Sequence, residues 1–234
     1  MISLLNKLTK LLQEISISKT FYFNFHYLPV KYAIYCPFWV YKHTVLAEMG
    51  GAISVHDLDL LKQTGNFRIG PLQVGFIDPK YSRTLWSMKG KLEITGGNIT
   101  LGRGTRLCIG VDGVVKMGNN FRISGNSTII CSKEISFADD CLLSWDILIM
   151  DTDFHKIYGS VNNEMLNSPR SISLGCRVWI GCNTMILKGA NIGNDVVISA
   201  NSLITGKRKT EENNCVYGGV DSLRILKNNI YWTK

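Results

Sequence analysis

A strict interval of six residues separates bulky aliphatic side chains in the last third of this chain. A helix repeats every 3.6 residues and a strand every two, so neither element alone produces such an interval over thirty residues. The interval predicts a solenoid with triangular turns, in which each flat side takes about six residues and directs one aliphatic residue inward. The members of the run are Leu174, Ile180, Ile186, Ile192, Ile198 and Ile204.

A glycine or another small residue follows most members of this run. These followers are Gly175, Gly181, Gly193, Ser199 and Thr205. A larger side chain would carry its Cβ into the next coil, whereas a small one lets the backbone turn the corner. We therefore expect the coils of the solenoid to stack closely at their corners.

The same rhythm begins loosely near residue 91 and is interrupted once. Leu101, Ile109 and Met117 lie eight residues apart, after which the spacing tightens to six. A departure over residues 151–171 precedes the regular run. With about eighteen residues per coil, the pattern predicts an all-β parallel helix of about five to six coils over residues 91–210.

Two end segments flank the predicted solenoid. Residues 1–90 combine an amphipathic stretch at 1–18 with aromatic, turn-rich sequence, which predicts an N-terminal mixed cap of one helix and short strands. Such a cap would cover the core and the strand edges of the end coil. Residues 211–234 are expected to close the other end with a short helix around Leu223, Leu226 and Ile230.

Composition narrows the class of protein. The seven cysteines are odd in number and form no CxxC pair, so we expect reduced thiols in a cytosolic protein rather than disulfides or a zinc knuckle. No secretory signal and no apolar stretch of membrane-spanning length is visible. The net charge of +8 implies anionic partners, and the phosphates of a small cofactor are favoured because no nucleic-acid-reading motif occurs.

The repeat segment from Leu174 to Ser202 resembles the hexapeptide-repeat acyltransferases, whose pattern is aliphatic, glycine, two free positions, a small residue and one more. That family folds as left-handed parallel β-helices, so the resemblance implies this handedness. It covers about residues 92–234, although the usual Gly-x-Pro-Ala of the closing segment is altered here. The segment from Met150 to His155 and the insertion after it are most similar to bacterial enzymes that O-acetylate sugars of capsule, lipopolysaccharide or other surface polysaccharides.

His155 is the one histidine inside the repeat region, and it lies where the chain departs from the repeat. Transfer of an acetyl group from a thioester to a sugar hydroxyl needs a base, and histidine side chains titrate near neutrality. The resemblance implies this general-base role for a histidine in this place. A purely structural histidine is the alternative.

The residues around His155 are candidates for binding the acceptor. Asp151 and Asp153 could orient the imidazole or bind the sugar, or they could cap turns at the mouth of the loop. An Asp-x-Asp pair that holds a metal and a nucleotide sugar is disfavoured inside a hexapeptide solenoid. Trp145 and Tyr158 could stack on a sugar ring or fill the base of the loop.

The resemblance also implies an acetyl-coenzyme A site along the later coils, with Asn126 near the acceptor. Two stacked positions contact the pantetheine arm through their backbone in the family, and basic residues after Thr205 would either meet the coenzyme phosphates or form a solvated turn. No residue is placed to activate Cys182 as an acyl-carrying nucleophile, so direct transfer is expected. The implied coenzyme-site residues are Trp179, Cys182, Ala200, Thr205, Lys207 and Arg224.

These observations predict an acetyl-CoA-dependent O-acetyltransferase that acts, without a metal, on a hydroxyl of a surface-glycan sugar. The resemblance implies a homotrimer with sites between subunits. The protein is expected in the cytoplasm, and residues 1–18 either pack on protein or lie on the inner face of the membrane, near lipid-linked substrates.

Two other functions stay open: an N-acyltransferase acting on an amino-sugar nucleotide, and a non-catalytic scaffold. A carbonic anhydrase of the same fold would need three zinc-binding histidines in the repeats, which offer one. An ice-binding solenoid would show a regular threonine ladder, and the sequence has none.

Overall fold

The computed structural model describes residues 14–207, 210, 212–220 and 222–233. Two helices, α1 (Ile17–Tyr27) and α2 (Val30–Ala33), precede the strands, and a 3₁₀ helix covers Leu58–Lys62. In chain order, the strands are β1 (Phe38–Val40), β2 (Thr44–Met49), β3 (Ala52–Val55), β4 (Phe67–Ile69), β5 (Thr84–Met88), β6 (Lys91–Ile94), β7 (Ile99–Leu101), β8 (Arg106–Ile109), β9 (Val114–Met117), β10 (Arg122–Gly125), β11 (Thr128–Cys131), β12 (Glu134–Phe137), β13 (Leu142–Trp145), β14 (Leu148–Met150), β15 (Ile172–Leu174), β16 (Trp179–Ile180), β17 (Met185–Leu187), β18 (Asn191–Ile192), β19 (Val197–Ile198), β20 (Leu203–Ile204), β21 (Val216–Gly218) and β22 (Arg224–Lys227).

Three sheets form the sides of a triangular column. The first sheet has the order β1-β4-β7-β10-β13-β16-β19-β21-β22, the second β2-β5-β8-β11-β14-β17-β20, and the third β3-β6-β9-β12-β15-β18. All neighbours pair in parallel except β21 and β22. Each coil gives one strand to each sheet, so β1 to β18 make six complete coils. The predicted left-handed parallel β-helix is confirmed.

The regular aliphatic run forms the core of the upper coils. All six of its members are buried, with at most 2% of their surface exposed. A Cβ on Gly181 would lie 2.5 Å from the backbone nitrogen of Ala200 in the next coil, so crowding requires the small residue, as predicted. The left-handed backbone conformation lies two residues later, at Asn183 and at Asn201.

The column begins at Phe38, well before the boundary at residue 91 that the six-residue interval suggested. Phe38 pairs with Phe67, which pairs with Ile99, so the first two coils continue the first sheet in register. The interval does not show these coils because long corner segments, residues 56–66 and 70–83, separate their strands. Most of the segment interpreted as a cap is therefore solenoid.

Helix α1 covers the open edge of the first coil. The amide of Asn24 donates to the carbonyl oxygen of Phe38 at 2.7 Å and accepts from its N–H at 3.1 Å, as a neighbouring strand would. Thr20 Oγ1 accepts from the N–H of Val40 at 3.0 Å. Phe23 packs on Phe38 with ring centroids 5.3 Å apart. The helix thus satisfies the edge that an end coil exposes.

Two predictions concern the chain ends. The expected C-terminal helix is a strand, β22, which pairs antiparallel with β21, and Gly219 with φ near +132° makes the turn between them. Hydrogen bonds to the open edge of β21 stabilise this segment as a strand more than its weak helical pattern would stabilise a helix. Residues 1–13 of the amphipathic stretch lie outside the described residues. Among the residues that the structure describes, no helix is both long and apolar enough to cross a membrane.

We number the corners in chain order: the first joins the first sheet to the second, the second joins the second sheet to the third, and the third returns to the next coil. Two loops leave the column. Residues 70–83 leave at the first corner of the second coil, and residues 151–171 leave at the second corner of the fifth coil. The second sheet lies between them.

Candidate active site

The loop of residues 151–171 begins at a buried carboxylate. Asp151 Oδ1 accepts from the N–H of Ser132 at 2.7 Å, and Oδ2 accepts from the N–H groups of Lys133 and Glu134 at 2.7 and 2.9 Å. Asp151 is fully buried. It therefore caps a turn of the coil below, and its predicted role in binding the acceptor is corrected, since a sugar cannot reach this carboxylate.

Cys131 lies beside the same carboxylate. Burial raises the pKa of the Cys131 thiol to about 12, and the negative charge of Asp151 adds to the shift. The thiol donates to the carbonyl oxygen of Val114 at 3.3 Å. Cys131 is therefore protonated at neutral pH and is not a nucleophile in this site.

Asp153 connects the loop to the coil above. Its carboxylate pairs with Lys188 Nζ and accepts from Asn167 Nδ2 at 3.0 Å. The hydrogen bond from Lys188, followed by that from Asn167, holds the pKa of Asp153 below its usual range. This carboxylate is thus engaged in closing the loop, although it stays partly exposed.

Hydrogen bonds fix the main chain of His155 on both sides. Its N–H donates to the carbonyl oxygen of Asp153 at 2.7 Å, and its own carbonyl oxygen accepts from Asn167 Nδ2 at 2.7 Å. Asn167 Oδ1 accepts from the N–H of Ile157, so one amide joins both legs of the loop. The His155 side chain is exposed, and no hydrogen bond reaches its ring from the described residues.

Sequence analysis missed Asn167 and Lys188, because Asn167 lies in the departure from the repeat and Lys188 occupies one of its free positions, far from His155 in the chain. Only the folded loop brings them to Asp153. Tyr158 lies further out, where it forms an isolated antiparallel bridge with Met165 and is exposed.

The predicted site residues divide between two corners of the column. A strand of about four residues, or roughly 13 Å, separates these corners across the second sheet. Within one chain the structure therefore does not bring Asn126 to His155. At the second corner lie Asp151, Asp153, His155, Tyr158, Thr205 and Lys207, and at the first corner lie Asn126, Trp145, Cys182 and Ala200.

The first corner carries a cleft of about 620 Å³ that Asn126 lines. Trp145 stands beside it and packs on Phe76 with ring centroids 4.7 Å apart. Trp145 thus fills the base of a loop, which was one of its two predicted roles. The loop, however, is that of residues 70–83 and not that of residues 151–171.

Cys182 and Ala200 stack in adjacent coils at the first corner. Asn201 donates its N–H to the carbonyl oxygen of Cys182 at 2.9 Å, whereas the N–H groups of Cys182 and Ala200 themselves make no hydrogen bond within the described part of the chain. Two small side chains and two unpaired amide donors on an accessible edge fit the carbonyl groups of an extended pantetheine arm.

The remaining predicted coenzyme residues lie apart from this pair. Trp179 lies on the first sheet, where it donates Nε1–H to Ser144 Oγ at 3.1 Å and packs against Trp232. Arg224 is exposed on β22 and Lys207 is exposed at the second corner. Thr205 Oγ1 accepts from the N–H of Lys207 at 3.3 Å.

Over the described residues, no group of three or more histidine, cysteine, aspartate or glutamate side chains could hold a metal ion.

Residues 171–206 match the family model described as bacterial transferase hexapeptide (six repeats). The chain is 29% identical over 145 residues to WbbJ of Escherichia coli K12, a lipopolysaccharide biosynthesis O-acetyl transferase by name; the match covers 57% of this chain and 71% of WbbJ. It is 40% identical over 73 residues to the polysialic acid O-acetyltransferase of Neisseria meningitidis, covering 31% of this chain and 32% of that protein.

The polysialic acid O-acetyltransferase OatWY has a similar solved structure, with a TM-score of 0.46 and 23% identity over 79% of this chain and 90% of that one. The chain thus spans most of WbbJ but about a third of the Neisseria relative. The family model and the sequence relatives agree with the coils seen here. The repeats and these sequence likenesses show that the chain contains a hexapeptide-repeat segment and resembles bacterial surface-polysaccharide O-acetyltransferases.

Proposed function

We propose that this chain transfers the acetyl group of acetyl-CoA to a hydroxyl of a sugar in a surface glycan, with His155 as the general base. The observation that carries the proposal is the placement of His155: its main chain is fixed by two hydrogen bonds while its imidazole faces solvent. The names of the sequence relatives, all O-acetyltransferases, support a hydroxyl rather than an amine as the acceptor.

The reaction requires one proton to leave the acceptor hydroxyl and one proton to reach the leaving thiolate. Acetyl-CoA, when bound, supplies a thioester carbonyl that is open to attack. His155 would accept the proton of the acceptor hydroxyl as the new C–O bond forms, and would return it to the sulfur of the leaving group as the C–S bond breaks. Asp153 and Asn167 would position His155 through its main chain. No cysteine has to carry the acyl group, so transfer is direct.

The donor would lie along the first corner of the upper coils. The free N–H groups of Cys182 and Ala200 would donate to the pantetheine carbonyls, and Trp179 on the first sheet would contact another part of the coenzyme. Lys207 and Arg224 are exposed cations that would meet the phosphates of the coenzyme as point charges.

We propose a homotrimer in which neighbouring chains complete each site. Two observations support it. Asn126 and His155 stand on opposite sides of the second sheet, so a second chain is needed to bring such residues together. In addition, the loop of residues 151–171 carries several exposed apolar side chains along its length, of which Val161 is 99% exposed. Light scattering should give the mass of three chains, and a stable monomer at micromolar concentration would contradict the proposal.

The cytoplasm is the proposed location, because all seven cysteines are unpaired in the structure and a reducing compartment keeps them so. Contact of residues 1–18 with the inner face of the membrane stays a prediction.

Incubation with acetyl-CoA and a panel of oligosaccharides tests the activity. Free CoA should be measured by chromatography, because the partly exposed cysteines of the protein would react with a disulfide reagent. We expect His155→Ala to lower kcat/KM by about 10² to 10⁴-fold. His56→Ala, a variant of another exposed histidine, should change it less than twofold.

Each result decides between the functions that the sequence left open. Turnover confined to amino sugars would replace the O-acetylation proposal with N-acylation. Absence of CoA release with every acceptor would favour a non-catalytic scaffold. Full activity of His155→Ala would remove the histidine from the mechanism.

A further inference from the structure

The cleft at the first corner is built from two parts of the molecule. One wall is the end of the loop of residues 70–83, with Tyr81 and Arg83. The floor is a set of corner and strand residues from successive coils, namely Arg106, Asn126 and Asp146. From the second coil to the fifth, this floor extends over three coil steps, or about 14 Å. The cleft thus has the length and volume of a site for a small ligand or a piece of a chain.

Buried contacts hold the wall of the cleft in place. Ile77 is buried against Gly125, where even a Cβ would lie 2.4 Å from the Ile77 side chain. The guanidinium of Arg103 is also buried; it donates to the carbonyl oxygen of Pro79 at 2.9 Å and pairs with Glu14 at 2.7 Å. The cleft is therefore preformed, which reduces the entropy that a ligand must lose on binding.

The charges in the cleft favour an anion. Arg83 and Arg106 make no ion pair among the described residues, and the one hydrogen bond from the Arg106 side chain goes to Thr128 Oγ1 at 3.4 Å. Asp146 is the single carboxylate of the lining, which leaves one uncompensated positive charge. Guanidinium groups are planar donors that match the two oxygens of a carboxylate.

The remaining side chains of the lining suit a sugar. Tyr81 is 72% exposed and offers an aromatic face, and the amide of Asn126 and the carboxylate of Asp146 can pair with hydroxyl groups. A smaller groove of about 290 Å³ on the first sheet also has two arginines, but there Arg68 is engaged by Asn98 at 3.2 Å. The first-corner cleft thus combines two guanidinium groups that make no ion pair among the described residues with an aromatic wall.

We propose that this cleft binds the acceptor as an acidic saccharide, whose carboxylate is recognised by Arg83 and Arg106. The inference rests on the proposed function for its biological meaning, because it names the class of acceptor for that reaction. The binding itself needs no donor, so it can be measured separately from turnover.

The test compares acidic oligosaccharides with their neutral forms. Oligomers of uronic acids and of sialic acids, and the methyl ester of each, are titrated against the full-length protein without acetyl-CoA, and binding is followed by saturation-transfer NMR and calorimetry. We expect at least one acid to bind about tenfold or more tightly than its ester, and this preference to weaken as salt is raised.

Variants locate the site. Arg83→Gln and Arg106→Gln should each weaken binding of the acid about tenfold and leave binding of the ester unchanged. Arg122→Gln, in the smaller groove, is the matched control and should keep full affinity. Unchanged melting temperatures would show that the variants fold.

The outcomes separate this inference from the proposed function. If no acid binds more tightly than its ester, or if the two arginine variants bind like the wild type, the inference is wrong even when neutral acceptors are acetylated. If acids bind through Arg83 and Arg106 but no acetyl transfer occurs, the inference stands and the proposed activity falls.

Discussion

The two loops that leave the column are held by different kinds of contact. The loop of residues 70–83 is fixed by burial. Ile77 packs against Gly125, which has no Cβ, and the buried Arg103 donates to the carbonyl oxygen of Pro79 in the loop. The loop of residues 151–171 is fixed near its base by the carboxylates of Asp151 and Asp153, and it carries several exposed apolar side chains.

This difference teaches which parts of the site one chain can finish alone. The first loop makes a preformed wall because its contacts are complete within the chain. The second positions the main chain of His155 but leaves apolar side chains in water, a pattern typical of a surface that another protein covers. The predictions below test this contrast, beginning with the largest effect.

Removing the charge of Asp151 should lower the free energy of unfolding more than the other substitutions. In Asp151→Asn, the side-chain NH₂ group would replace one of two oxygens that accept from backbone N–H groups and would face at least one such N–H in a buried place, so we expect the free energy of unfolding to fall by about 3 kcal/mol. Urea denaturation measures it. The pKa of Cys131 should also fall, because the nearby negative charge helps to raise it, and the pH dependence of alkylation would show this. A variant as stable as the wild type would mean that the carboxylate is not a structural anchor.

Gly125→Ala tests the packing of the other loop. The new Cβ would lie 2.4 Å from Ile77 Cδ1 and 2.5 Å from the carbonyl oxygen of Arg103, at a φ near +154°. Overpacking and strain together should cost about 2 kcal/mol. Gly75→Ala, in the same loop but with no atom within 4 Å of the new Cβ, is the control and should stay within about 0.5 kcal/mol. Equal effects of the two substitutions would contradict the packing argument.

The pair of Asp153 and Lys188 should contribute little to global stability. Asp153 is 41% exposed, so a double-mutant cycle with Asp153→Asn and Lys188→Met should give a coupling below about 1 kcal/mol. Its effect on turnover should be larger than its effect on stability, since the Asp153 carboxylate also holds Asn167 Nδ2, which donates to the carbonyl oxygen of His155. A coupling of several kcal/mol would show that this loop is anchored as firmly as the first.

Acid should loosen both loops through different carboxylates. The pKa of Asp153 is lowered by Lys188, and that of Asp78 by the N–H groups of Tyr81 and Lys80. The unfolded pKa is about 3.9, so the stabilisation is complete above that pH and is lost as the pH falls through the lower folded values.

Hydrogen exchange should therefore increase in both loops below about pH 4. Asp153→Asn should abolish the acid step in residues 151–171 and leave the step in residues 70–83, and Asp78→Asn should do the reverse. Acid steps that do not follow these two substitutions would show that other groups control the loops.

The sequence predicted the upper coils of the fold because their repeat joins residues that are close together in the chain. Each inward aliphatic residue of the upper coils lies six positions before the next, since every side of the triangle has the same length. The left-handed corner residues have a signal that sequence analysis did not use: Asn183 and Asn201 follow Ile180 and Ile198 by three positions, and Asn126 follows Ile123 in the same way. The first two coils lack this regularity, because long corner segments interrupt their spacing without disturbing the register.

The sequence by itself determined the triangular solenoid, its buried aliphatic columns and the place of His155 at the start of a departure from the repeat. These follow from spacing, which acts between neighbouring residues. Only the tertiary structure decided where the column begins, that Asp151 is a buried cap, that Asn167 joins both legs of one loop, and that two arginines share a cleft with Asn126. Those facts depend on contacts between residues far apart in the chain, which form only when the coils are stacked.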